Sequence, residues 1–142
     1  SNNLLVNGAM KILSGLDWID VPVHEPKKLI DFCLNTTPNN EGCDLVDIVY
    51  VLYRCSKFTD HKRKEIINYL ENITSIIFLH YFKEIGGFSY SINRSQTEYY
   101  GVKISKGLPT PDLHGNLLLI WAMSMIDEIV NEENSSLNVL KP

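Results

Sequence analysis

Apolar positions recur at helical spacing in five stretches of the chain, and the polar runs between them carry the glycines and prolines that punctuate turns. Over residues 3–16, Leu5, Met10, Ile12 and Leu13 fall mostly on one side of a helix, with Asn3 as its cap and Gly8 as a point of close packing. Gly15 and the run beginning at Asp17 end it. Pro26 opens a short helix over 26–34, where a first-turn proline is tolerated and Glu25 suits the helix dipole; Leu29, Ile30, Cys33 and Leu34 are its apolar stripe. Residues 36–42, Thr-Thr-Pro-Asn-Asn-Glu-Gly, are turn chemistry throughout. Over 43–57 the apolar side chains Leu45, Val46, Ile48, Val49, Val51 and Leu52 nearly surround the axis, with Tyr50 and Tyr53 added, which predicts a buried helix with Asp44 at its cap or in its first turn. Residues 61–82 start charged, at His61 to Glu65, and then become apolar through Ile66, Ile67, Leu70, Ile73, Ile76, Ile77 and Leu79, the pattern of a helix with one wet face. The fifth stretch, 112–130, is apolar nearly all round until Asp127. Phe88 to Ile92 alternates, but it is too short and isolated to predict a strand. The expected fold class is all-α, with one domain over 1–130. The polar tail over 131–142 frays unless Leu137, Val139 and Leu140 dock.

Between the fourth and fifth helices lies a long loop, 88–111, with Tyr90, Arg94, Tyr99 and Tyr100 close together and Lys103 and Lys106 after them. Loops longer than about 15 residues without regular structure are uncommon in compact domains, and are usually functional or disordered. Aromatic density gives this one apolar surface to bury, which argues for order. It is expected to fold back over the start of the fifth helix and to put Tyr99 or Tyr100 near Asp112 and His114. A helix N-terminus presents unpaired amides and a partial positive charge there, and so favours an anion.

Composition narrows the classes. The 142 residues, 44% of them hydrophobic, suit one soluble domain with a real core. A net charge of −4 argues against a nucleic-acid partner, whose footprint is basic. No unbroken apolar run reaches the roughly 18 to 20 residues of a membrane span. The odd cysteine count, Cys33, Cys43 and Cys55, points to a reducing, cytoplasmic setting rather than a disulfide framework. Ser1-Asn2, without an initiator methionine, reads as the scar of an excised piece of a longer protein.

Two helices open alike: Asp44-Leu45-Val46-Asp47 and Asp112-Leu113-His114-Gly115. Nine residues after each first aspartate stands an aromatic, Tyr53 or Trp121, preceded by Leu52 or Ile120, and glycine turns at Gly42 and Gly86-Gly87 come before. Similarity of this kind signals stacked helical hairpins. With its Gly86-Gly87-Phe88 turn and the acidic, histidine-bearing start at Asp112 to Gly115, the chain resembles the terpenoid cyclase and protein prenyltransferase superfamily, in particular bacterial prenyltransferase-like proteins, loosely over residues 3–126. The resemblance implies an arc of an α/α toroid, with the remaining repeats in the parent protein and a homo-oligomer as one way to cover open apolar faces. It implies an isoprenoid diphosphate or polyprene handled in a central pocket, with Asp112 and His114 as catalytic residues. Tyr99, Tyr100, Arg94, Asp44 and Asp47 would contact substrate. Prenyltransferases of that superfamily hold zinc with an Asp, a Cys and a His; here Cys43 precedes Asp44 directly and the Asp-x-Cys spacing is missing, so no metal ligand is assigned and zinc or magnesium is left open. The acidic DxDD cluster of protonating cyclases is also missing. Against these roles stand plainer ones: Asp44 and Asp112 as helix caps, each worth about 1 kcal/mol, the aromatics as core, and Arg94, Lys103 and Lys106 as solvated cations. His24, His61 and His80 have no partner at metal-ligand spacing, and His80 reads as a boundary residue. The alternative function is a non-catalytic toroid domain that binds a ligand or partner in its concave centre.

Overall fold

Every residue from Leu45 to Cys55 is buried, so the helix that carries them, α3 (Gly42–Ser56), is the axis of the structure. The computed structural model describes residues 1–142, the side chain of Glu133 excepted. Around α3 pack α1 (Asn2–Trp18), α2 (Pro26–Leu34), α4 (Arg63–Phe78) and α5 (Leu113–Asn131). Enclosing a helix on all sides removes each large apolar side chain from water, a gain of about 1.5–3 kcal/mol apiece. Charged groups are enclosed with them: Asp47 on α3 itself, and Arg54 on α3, which meets Asp17 on α1 at 2.9 Å, Asp17 also accepting from the Tyr50 hydroxyl at 3.4 Å. The molecule is mainly helical, as the periodicity predicts.

The structure corrects several details. Helix α1 begins at Asn2 and runs through Gly15 to Trp18, and Asn3 does not cap it but donates from Nδ2 to the Thr37 carbonyl. Its buried face is Val6, Leu13 and Asp17, while Leu5 and Ile12 are exposed. Two overlapping apolar stripes compete on this helix, and contact with α3 selects between them. Helix α4 stops at Phe78, short of residue 82, because Tyr81–Phe82 (β1) leaves to pair antiparallel with Gly87–Phe88 (β2). A second hairpin joins Glu98–Tyr99 (β3) to Val102–Lys103 (β4) through Tyr100 and Gly101, both at positive φ. This is a two-residue turn of the I′ kind, and two-residue strands leave no alternation for a sequence pattern to reveal.

Helix α5 is not enclosed like α3. Leu119, Ala122, Met125, Ile126 and Ile129 face the core, whereas Leu113 (87% exposed), Leu117 and Ile120 face outward. By length and composition α5 would also suit a membrane crossing, a test that core helices pass as well. The tail docks. Trp18 and Trp121 donate their indole N–H groups to the Pro142 and Leu140 carbonyls, and Val139 packs against the core.

Candidate ligand groove at the start of α5

The loop reaches the N-terminus of α5 and is wired to it by Asp112. As the N-cap of α5, Asp112 accepts from the Gly115 N–H at 2.7 Å through Oδ1, which satisfies one of the orphan donors of the first turn. Its Oδ2 accepts from the backbone N–H groups of Tyr90 at 2.8 Å and Gln96 at 3.0 Å. Asn116, one turn further, accepts from the Phe88 N–H at 2.9 Å, and the Asp112 N–H donates to the Phe88 carbonyl. The loop backbone lies so close that a Cβ on Gly115 would overlap the Ser89 and Tyr90 main chain, which explains a glycine inside this helix. Tyr90 also ties the loop to α3, its carbonyl accepting from the Gly42 N–H at 2.9 Å. Asp112 is therefore a structural hub.

With the loop held there, its aromatics close over His114. Tyr90 stacks on the His114 ring at 5.1 Å between centroids, and Tyr99 meets it edge-on at 5.7 Å. Tyr100 packs edge-on against Tyr99 at 4.6 Å. Gln96 is buried and its Oε1 lies 2.8 Å from His114 Nδ1, so that nitrogen carries the proton in this contact. Tyr100 is 84% exposed at the hairpin tip and sits at φ 47°, the left-handed region that a bulky side chain adopts at a cost.

These rings form one wall of a groove of about 700 Å³ that runs between the loop, the first turns of α1 and the start of α3. Asp44, Asp47, Tyr99, Tyr100 and His114 all line it. Asp44, in the first turn of α3 and not at its cap, accepts from Asn39 Nδ2 at 2.9 Å; Asp47 accepts from Asn7 Nδ2 at 2.6 Å. Burial raises the Asp47 carboxyl above the usual carboxylate range, partly opposed by the Asn7 bond. Burial likewise raises the thiol of Cys43, which lines the same groove. Cys33 and Cys55 lie in the core, both pushed up to about 12 by burial.

Two expected site residues fall elsewhere. Arg94 is exposed and absent from the groove lining, as are Lys103 and Lys106; the side chain of Asp112 is turned to the loop amides. Among the described residues no group of three His, Cys, Asp or Glu is placed to hold a metal ion. His61 pairs with Asp31 at 2.9 Å and belongs to no such group, and His80 is no boundary residue: it is fully buried, with Nδ1 donating to the Ser89 carbonyl at 2.8 Å. Burial lowers the His80 pKa, and its Nε2 has no hydrogen-bond partner. Gln96, Asn7 and Asn116 were not legible as site residues, since lone amides carry no pattern; the signal for Gly115 was a glycine in a helix's first turn.

A second cleft, about 550 Å³, lies between α3, the start of α4 and the end of α5. Its charges are matched internally, Lys57 with Glu128 and Arg63 with Glu132, so it holds the tail and asks for no ligand. The chain matches no family model, and no curated protein or solved structure is detectably similar to it.

Proposed function

We propose that this domain binds a small molecule in the groove beside His114 and does not transform it. The observation that carries the reading is the convergence of Asp44 and Asp47 from α3, Tyr99 and Tyr100 from the loop, and His114 from α5 on one concavity. Its volume of about 700 Å³ lies in the ordinary range for small-molecule sites. Strain at Tyr100, which keeps an exposed aromatic at the groove's lip, adds to it. Asp112, the acid that the resemblance would make catalytic, does not line the groove and is occupied by three backbone donors, which favours a binding role over catalysis. We read the helices as an arc of α/α hairpins, supported by the apolar side chains that α1 and α5 leave exposed at Leu5, Ile12, Leu113, Leu117 and Ile120.

A second reading is an isoprenoid substrate, prenyltransferase- or cyclase-like, favoured by the apolar part of the same lining at Leu4, Met10, Val46 and Leu118. Ligand screening by chemical-shift mapping, on the parent chain and on His114→Ala, tests the site. Hits should shift Tyr99 and Tyr100 and weaken in the variant while its melting temperature holds. Hits that map elsewhere, or a variant that only loses stability, overturn the site. Turnover of a labelled allylic diphosphate with zinc or magnesium would replace the binding reading with the second one.

A further inference from the structure

Two aspartates are buried in this protein, and their surroundings differ. Asp17 is met by Arg54 at 2.9 Å. Asp47, only 4% exposed, has a single hydrogen-bond partner, the neutral Asn7 amide, and among the described residues no Lys, Arg or His nitrogen lies within 4 Å of it. A carboxylate removed from water is expensive unless a cation answers it. Asp47 also lines the groove, so the open side of this carboxylate is the ligand's side. The rest of the lining has the same preference. Asp44 and Glu98 add negative charge against Lys11 and the Ser1 amino group, and the rings of Tyr90, Tyr99 and Tyr100 line the same groove. Ring faces attract cations by about 0.5–2 kcal/mol each, more where water is excluded.

We infer that the groove selects an organic cation, a small ammonium whose charge is answered by Asp47 and whose apolar body lies along the Tyr90, Tyr99 and Tyr100 wall. The inference rests on the reading of the groove as a ligand site, and names the chemistry that site accepts. Anionic ligands are disfavoured by the same carboxylates, and the free cations of the loop, Arg94, Lys103 and Lys106, stand outside the lining.

Three probes of one shape separate the possibilities: benzylammonium, benzyl alcohol and benzoate, titrated into the whole chain by calorimetry and chemical-shift mapping. Benzylammonium should bind about tenfold tighter than benzyl alcohol, the worth of one partly desolvated charge contact, and benzoate should bind weakest. In Asp47→Asn the ratio of benzylammonium to benzyl alcohol affinity should fall from about ten to about one. That variant keeps an acceptor for Asn7 and removes an unanswered charge, so its melting temperature should not fall; Asp47→Ala provides a second variant with the same expected loss of preference. If benzylammonium and benzyl alcohol bind equally, and both are weakened by His114→Ala, the groove is a ligand site but the cation inference is wrong. If benzoate binds best, the inference is likewise wrong. If no probe shifts the groove resonances, both the inference and the site reading fall.

Discussion

Replacing Asp112 by alanine strips one carboxylate from three backbone donors at once. The capping bond to Gly115 is worth about 1 kcal/mol on its own. The amides of Tyr90 and Gln96 then lose their acceptor, and each unpartnered amide costs about 1–3 kcal/mol, toward the lower end here because Asp112 is half-buried and water reaches part of the site. The sum is about 3–5 kcal/mol, a large share of the roughly 5–15 kcal/mol that holds a domain of this size. Asp112→Asn should recover little of it. An asparagine has one acceptor oxygen, so either the cap or the loop amides face an NH2 donor instead. Urea unfolding of both variants measures the loss, with an unchanged slope as the sign that only stability moved. Hydrogen exchange at Tyr90 and Gln96 should accelerate more than in the α3 core. A loss below about 1 kcal/mol would refute the hub. So would a variant of ordinary stability that no longer binds ligand, for then the carboxylate serves the ligand and not the loop.

Two further outcomes follow from the same wiring. Gly115→Ala should destabilise despite a helix-propensity gain of about 1 kcal/mol, because its methyl group meets the main chain of Ser89 and Tyr90 and no rotamer relieves that; a melting temperature at or above the parent's would show that the loop is not seated on the helix. His80 is held neutral by burial, so its folded pKa lies below the unfolded 6.5; its contribution is fully present above 6.5 and is lost as the pH falls from there through the folded value. NMR titration should show the His80 ring still neutral below 6.5, and titration at or above 6.5 would contradict the buried placement.

Periodicity alone determined where the helices are, because burying one face of a helix or all of it leaves a 3.6-residue signature that needs no partner to be read. The enclosed α3 was legible from its uninterrupted apolar run, and the wet face of α4 from its charges. The loop's return to His114 was legible from its aromatic density, although only Tyr90 is largely covered there and Tyr100 stays exposed at the tip. The tertiary structure decided what local pattern leaves degenerate. On α1 the stripe through Val6 and Leu13 won over the one through Leu5 and Ile12, and on α5 half of an all-apolar surface was left outside. Both choices depend on which neighbour arrives, and one chain segment holds no record of its neighbours. The role of Asp112 was decided in the same way. A cap and an acid look identical in a sequence, and only the arrival of Tyr90 and Gln96 at Oδ2 made this aspartate the knot of the loop. The charge left on Asp47 is the converse: sequence shows an aspartate on an apolar helix, but that a neutral amide and not a cation comes to meet it is a fact of packing.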